Sequence, residues 1–315
     1  MSGERVDVSV LVPVLNEAKG LREIVAAMAA QRFDGRLELL FVDGGSEDGT
    51  RAILEELAAG DPRIRVLDNP RRLIAPALNI GLRAARGEFV ARMDAHTLYP
   101  DDYLQRGIER LRRGDVAWVA GPQLPSRDGA PWSRRVALAL QSPLGVGGAA
   151  FRGVTEGELE TDAGFTGLWR RETLERHGGW NEDWVVNEDG ELAARIRADG
   201  GRIVTVAAMG ALYVPRDSLE GLARQYWRYG QYRAKTSGRH PESMRRSHLV
   251  PPAVAATVAA ALAAPRPLRR LARAGAAAYA LAIAAEAVRL GLRERDPGAV
   301  FVPAVLATMH LAWGA

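Results

Sequence analysis

Three short stretches carry acids where chemistry would need them. FVARMDAHT, residues 89–97, reads as a strand running into a turn that holds a carboxylate, Asp94, and an imidazole, His96. With one residue between them, an extended segment points both side chains to the same side. A divalent cation held there can bridge two phosphates and neutralise charge on a diphosphate leaving group. Carboxylate plus imidazole suits Mn2+ somewhat better than an all-oxygen set, which favours Mg2+. LELLFVDGGSEDGT, residues 37–50, ends an apolar run on Asp43, where an unpaired carboxylate would be costly. Asp43 can accept a hydrogen bond from the N3–H of a uracil or meet a ribose hydroxyl, and the turn beyond it offers Ser46 and backbone donors. Taken alone, Ser46 and Asp48 also suit N-capping of the helix that opens at TRAILEEL. WNEDWVVNEDGELAARIRADGG supplies Glu188 and Asp189 at the start of a helix, where a carboxylate can take the proton of an acceptor hydroxyl. Acids at that position also suit the helix macrodipole with no further role.

The elements that must position these residues alternate. From Val6 to about Gly121, the runs VSVLVPV, LELLFVDGG, IRVLDN and EFVARMD read as strands, and LREIVAAMAAQ, TRAILEELAAG and APALNIGLRAA as amphipathic helices. The pattern predicts an α/β fold, a Rossmann-like, mostly parallel sheet flanked by helices, with ligands at the carboxyl ends of the strands. Asn16 and Glu17 follow the first strand, Asp43, Ser46 and Asp48 the second, and Asp94 and His96 the fourth. From Pro122 to about Val214 the pattern is less regular, with glycine-rich LGVGGAAFRG, helical stretches around RRETLERHGG and EDGELAARIRADGG, and a strand RIVTVAA. LEGLARQYWRYGQYRAKT reads as a helix on which Gln225, Trp227 and Arg228 can hold an acceptor and a diphosphate; an amphipathic helix with its aromatics packed inward is the alternative.

After Leu249 come three apolar, alanine-rich segments, 249–264, 274–292 and 299–315, interrupted by Pro251, Pro252, Glu286, Arg289 and Pro303. Each is near or below the roughly 17–20 residues that a spanning helix needs. The linker PRPLRRLAR puts an arginine cluster after the first segment, against the positive-inside tendency if that segment spans from a cytoplasmic domain. Helices lying in or dipping into the cytoplasmic face of the membrane, with arginines at the headgroups, are the expectation. A soluble helical appendage is the alternative. The resulting plan is an α/β domain over 1–215 that carries the strand-end acids, amphipathic helices over 216–248, and a C-terminal apolar helical region over 249–315.

Composition narrows the classes. The 315 residues include no cysteine, so disulfides and thiolate metal sites are excluded. Lysine occurs only at Lys19 and Lys235, so the basic side chains are nearly all arginine, which binds phosphate bidentately. No run of five like charges and no aromatic-interleaved basic motif occurs, so no nucleic-acid partner is expected. The N-terminus MSGERVDVSVLVPVLNE lacks the layout of a secretory signal, and export is not expected. P-loop, GxSxG and HExxH motifs are absent.

In order, VSVLVPVLNE, FVDGGSEDGT, ALNIGLRAARGEFVARMDAH, NEDGELAARIRADG at the position of an ED motif and QYWRY at that of QxxRW resemble the family 2 inverting glycosyltransferases, which have the GT-A fold. These motifs span roughly residues 6 to 235. MDAHTLYPDDY, SPLGVGGAAFRG and TMHLAWG look like the succinoglycan-biosynthesis type within that family. The resemblance implies that Glu17 and Asp43 bind the nucleoside, that Ser46 and Asn79 also contact substrate, and that Asp94 lies at the ribose and metal. It implies Asp189 as catalytic base with Glu188 beside it, and Gln225, Trp227 and Arg228 on the acceptor and diphosphate side. For the domain plan it implies nucleotide-sugar binding and catalysis over 1–215 and an acceptor side over 216–248. Two positions depart from the family pattern. The usual DxD is Asp94-Ala95-His96, a variant that keeps a metal role for Asp94 and His96, and QxxRW ends on Tyr229, which favours single addition over processive synthesis. The implied reaction moves one hexose from a nucleotide diphosphate sugar, expected to be a UDP sugar, to a hydroxyl of a lipid-linked or glycan acceptor, with Mn2+ or Mg2+. Exopolysaccharide or cell-surface glycan synthesis at the cytoplasmic face of the membrane is the expected setting. The alternatives are a transferase acting on polyprenyl phosphate, whose acceptor needs no base, and a non-catalytic nucleotide-binding membrane scaffold.

Overall fold

VSVLVPV forms strand β1 (Val8–Val14) and LELLFVD forms β2 (Leu37–Asp43), whose seven residues are all buried. Near-continuous apolar runs of this kind mark parallel strands covered on both faces. The computed structural model describes residues 6–146 and 150–315. It divides into two units, Met1–Leu124 with Ala150–Tyr213, and Pro125–Ala149 with Val214–Ala315.

The first unit continues the alternation with α1 (Leu21–Ala29), α2 (Thr50–Gly60), β3 (Ile64–Asp68), α3 (Ile74–Ala84) and β4 (Phe89–Arg92). Then come β5 (Thr97–Leu98), α4 (Tyr103–Arg112), β6 (Trp118–Ala120) and β7 (Gln123–Pro125). The second unit contributes α5 (Pro131–Ala139) and α6 (Pro143–Val146) before the chain returns as β8 (Glu158–Glu160), β9 (Gly167–Arg170), α7 (Arg171–Arg176), α8 (Glu188–Ala198), β10 (Ile203–Val206) and β11 (Ala211–Tyr213). Eight strands form one sheet in the order β3-β2-β1-β4-β9-β6-β10-β8, and β5-β11-β7 form a small second sheet. Register brings Val14 opposite Asp43 and Asp43 opposite Asp68, so the first three strands end level. Residues 1–5 and residues 147–149 of the glycine-rich LGVGGAAFRG lie outside the described residues.

β9 is the element that the sequence pattern does not reveal. The four residues GLWR enter antiparallel between β4 and β6, in the middle of the sheet. What holds them is distant: Trp169 lies 4.8 Å from Trp118 and 5.6 Å from Trp180, ring to ring, in one core layer. Away from the strand ends, Glu38 on β2 faces Ser9 on β1 and accepts hydrogen bonds from Ser9, Arg86 and Arg65. Burial pushes its pKa upward most strongly, but those donors together hold it below the ordinary glutamate value, and the group serves the fold.

In the second unit, α9 (Leu219–Arg239), α10 (Val250–Ala263), α11 (Arg266–Glu294) and α12 (Val302–Gly314) pack with α5 around α12, whose Val302, Val305, Leu306 and Met309 are buried. A Cβ added at Gly230 on α9 would lie 2.1 Å from the Trp313 carbonyl oxygen, and one at Gly314 2.2 Å from that of Pro251. The end of TMHLAWG is therefore a close helix-packing surface. The arginine-bearing linker is helical, and α11 runs unbroken for 29 residues where the sequence suggested a shorter segment. Leucine, arginine and alanine are strong helix formers, and Pro267 sits in the first turn, where it breaks no hydrogen bond. By length and composition, Arg266–Glu294 and Pro297–Gly314 are long and apolar enough to cross a membrane.

Candidate active site

The loops after β1 and β2 are tied to each other by short polar side chains. The Asp43 carboxylate accepts from Ser46 Oγ at 2.6 Å and from the Ser46 amide at 3.2 Å, and Ser46 Oγ in turn accepts from the Asn16 amide at 2.9 Å. Asn16 adopts a left-handed backbone (φ 58°), and its side-chain oxygen accepts from the Glu47 amide. Thr50 Oγ1 accepts from the Glu17 amide at 2.8 Å and donates to Asp48 Oδ1 at 2.6 Å, while Asp48 Oδ2 accepts from the Ala18 amide. Gly49 directly precedes α2, and Asp48 Oδ1 accepts from the Thr50 amide, the first of the helix, at 3.0 Å, so Asp48 both caps α2 and ties it to the loop after β1, while Ser46 is engaged with Asp43 and Asn16 in place of the expected capping. Asp43 thus has its polar partners at the strand end without any ligand, with Arg51 4.0 Å from its second oxygen.

The turn after β4 departs from the extended geometry expected for it. The Thr97 amide donates to the Asp94 carbonyl at 3.2 Å, closing a turn over Ala95 and His96, so the alternation that would set Asp94 and His96 side by side does not hold. His96 Nδ1 lies 3.2 Å from Glu17 Oε1, joining this turn to the loop after β1. Asp94 turns the other way: its Oδ1 accepts from Arg92 Nε at 3.0 Å, and its amide donates to the Tyr99 hydroxyl at 2.8 Å.

Arg92 is the centre of the arrangement. Its side chain is only 3% exposed, and its Nη1 donates to Glu188 Oε1 at 2.9 Å, so one guanidinium spans the turn after β4 and the first residue of α8. The Phe165 ring lies 5.2 Å from the guanidinium carbon. Burial, the largest influence, works against the charge, but the carboxylates of Asp94, Glu188 and Asp189 outweigh it and raise the pKa of Arg92. Asn187, with φ 63°, turns the chain into α8. This separates the two acids read from NEDGEL: Glu188 is buried against Arg92, whereas Asp189 is only partly buried, with Oδ1 accepting from the Gly190 amide at 2.7 Å. Arg92 itself has no sequence signal beyond being a cation in an apolar strand, which burial makes costly without partners.

Asn79, expected at the substrate, is occupied elsewhere. Its amide nitrogen donates to the Trp180 carbonyl and to Glu182, and its oxygen accepts from the Trp180 amide, pinning α3 to the segment ahead of α8. A cleft of about 470 Å3 lies there, lined by Asn79, Leu82, Arg83, Glu175, Trp180 and Glu182. It holds none of the strand-end acids, and the carboxyl ends of the parallel strands remain the better location for chemistry. Gln225, Trp227 and Arg228 belong to α9 in the second unit; Gln225 donates to the Tyr229 hydroxyl at 3.0 Å, while Trp227 and Arg228 are exposed.

Among the described residues no group of three or more histidines and acids is placed to hold a metal ion. The residues present still fit a cation that arrives with a diphosphate, because such ions use one or two protein ligands and take the rest from phosphate and water. Arg92, Asp94 and Glu188 together carry one positive and two negative charges, a net of −1, and Asp94 Oδ2 accepts no hydrogen bond from the described residues.

Comparison with known proteins agrees with this architecture. The model of glycosyl transferase family 2 matches residues 9–177. The succinoglycan biosynthesis protein ExoA of Rhizobium meliloti is 32% identical over 309 residues, covering 97% of this chain and 92% of ExoA. A Methanococcus voltae dolichyl N-acetyl-alpha-D-glucosaminyl phosphate 3-beta-D-2,3-diacetamido-2,3-dideoxy-beta-D-glucuronosyltransferase is 23% identical over 231 residues, 71% of each chain. Among solved structures, the mannosyltransferase PcManGT from Pyrobaculum calidifontis, in complex with GDP-Man and Mn2+, superposes with a TM-score of 0.63 at 26% identity, covering 98% of this chain and 86% of that one. The fold is GT-A-like. Sequence, family model and fold agree over most of the length, and the chain belongs to glycosyl transferase family 2, of the succinoglycan-biosynthesis type.

Proposed function

We propose that the protein is an inverting, single-addition hexosyltransferase that moves a sugar from a nucleoside diphosphate to a hydroxyl of a lipid-linked acceptor in exopolysaccharide assembly. The observation that carries this reading is the line of acids at the ends of β1, β2 and β4, joined through Arg92 to the start of α8. Asp43, held by Ser46, presents a carboxylate to the base and ribose. Such a group accepts equally from uracil N3–H and guanine N1–H, so a UDP sugar and the GDP-Man of the Pyrobaculum relative are both compatible with it. Asp94, with His96 beside Glu17, would hold the divalent cation, which when bound neutralises charge on the departing diphosphate. Asp189 takes the acceptor hydroxyl's proton as that oxygen attacks C1; the new C1–O bond forms on the face opposite the breaking bond to phosphate, and the nucleoside diphosphate leaves.

The test is a panel of UDP and GDP hexoses, with and without Mn2+ and EDTA, assayed for hydrolysis and for transfer. One donor is expected to react in a metal-dependent way, and a chain that binds nucleotide yet turns over none of the panel is a scaffold.

The setting is the membrane surface. The exposed apolar side chains of α11, Leu268, Leu271, Leu281, Val288 and Leu292, together with Arg266, Arg269, Arg270 and Arg273 at one end of that helix, support a seat at anionic headgroups of the cytoplasmic leaflet. Full-length protein is expected to float with liposomes containing anionic lipid and to lose most of that binding in high salt. Protein that stays in the soluble fraction at low salt rejects this seat.

A further inference from the structure

We propose that Arg92 is a positioning residue that locks the donor-side carboxylate and the helix carrying the base into one geometry. The inference rests on the reading of Asp94 as a donor-side group and Asp189 as the base. Arg92 closes β4, whose four residues are all buried, and its neighbour across the sheet is Gly167 of β9. From there the guanidinium uses Nε for Asp94 and Nη1 for Glu188, at 3.0 and 2.9 Å, with the Phe165 ring beside it. The two acids come from parts of the chain 94 residues apart in sequence. Asp189 follows Glu188 directly, so the place of the base is set by the same fork that orients Asp94.

A buried ion pair is a weak means of stabilising a fold, and apolar residues of the same volume commonly do as well. What a planar fork does provide is fixed direction. Lysine keeps the charge at that site but is a point donor on a flexible stem, and cannot hold two carboxylates at a defined angle. In a transfer between two bound substrates, a displacement of about 1 Å between base and donor costs on the order of 100-fold in rate. Residues that orient a metal-binding carboxylate, the role read for Asp94, have effects of about 10–100-fold in metal affinity or activity when lost.

The experiment compares wild type, Arg92→Lys, Asp189→Asn and the double variant Arg92→Met with Glu188→Gln. Three readouts are taken: calorimetric Kd for UDP with Mn2+, and in parallel for GDP with Mn2+; turnover with the donor that the panel identifies; and Tm. Arg92→Lys is expected to weaken nucleotide binding and to lower kcat, each by about 10-fold or more, while Asp189→Asn lowers kcat and leaves Kd in place. The double variant removes the guanidinium without stranding a buried Glu188 carboxylate, so it reports on position where Arg92→Lys unfolds. Asp94 loses its guanidinium there as well, so the variant is expected to fold with a Tm somewhat below wild type and still bind and turn over poorly. Folded Arg92→Lys that keeps both Kd and kcat within about threefold of wild type, below the range for such residues, overturns the proposal. So does recovery of both values in the double variant, which would make Arg92 a charge-balancing residue only. Failure of the catalytic reading looks different: Asp189→Asn then turns over normally, or wild type turns over nothing, while the effect of Arg92→Lys on nucleotide affinity can still be measured.

Discussion

Asp189→Asn is expected to lower turnover by about 10^3-fold, within the 10^2–10^4 range of general-base catalysis, while the Kd for nucleotide and Mn2+ stays within experimental error. The reason lies in how α8 begins. Glu188 is turned inward to Arg92, which leaves Asp189, in the first turn of α8, as the partly exposed acid of the pair. Asparagine preserves size and hydrogen bonding but accepts no proton from the attacking hydroxyl. Donor hydrolysis and transfer measured on the same preparation, with Tm as a folding control, check this. Turnover near wild type rejects Asp189 as base and favours the polyprenyl-phosphate acceptor, whose oxygen already carries its charge.

Asp94→Asn is expected to lower kcat by about 10^2-fold or more and to abolish the difference between Mn2+ and EDTA, because stabilising a departing diphosphate contributes several kcal/mol. Nucleotide binding without metal should change little. The isosteric amide keeps an acceptor for Arg92, so the variant should fold. His96→Ala is the informative companion. The turn at Ala95 and His96 sends the imidazole to Glu17, so a modest loss with metal dependence intact assigns His96 to loop closure, and a loss equal to that of Asp94→Asn assigns it to the cation. Asp94→Asn that retains full metal-dependent turnover sinks the donor-side assignment.

The Arg92 fork explains why these two variants should separate. Each removes one function from a rigid frame, whereas loss of the guanidinium is expected to disturb both ends of that frame.

Much of the frame was legible in the chain itself. VSVLVPV and LELLFVD are almost wholly apolar because their strands are buried on both faces, with Ser9 and Glu38 paired to each other, and both are followed by polar residues because parallel strands present their carboxyl ends to ligand and solvent. Whereas Asp189 stood out only through the resemblance to the family, the order of those runs, with amphipathic helices between them, was sufficient for the parallel strands and for Asp43 and Asp94 as strand-end candidates. These are local properties, set by neighbours a few residues away.

Tertiary structure decided the rest, where the partner is remote. β9 is four residues whose place between β4 and β6 depends on tryptophans about 50 and 11 residues away, and no local periodicity encodes such a pairing. Asn79 lies in a stretch resembling the family pattern, yet its amide is held by Trp180 and Glu182. Asp94 and His96, two residues apart, diverge because a turn and not a strand connects them. Sequence alone thus determined which acids stand at the ends of which strands, since burial and periodicity write that into neighbouring residues. Folding alone decided which of them share a partner, because a guanidinium on β4 selects its carboxylates by distance and direction in space, across 94 residues of chain that separate Asp94 from Glu188.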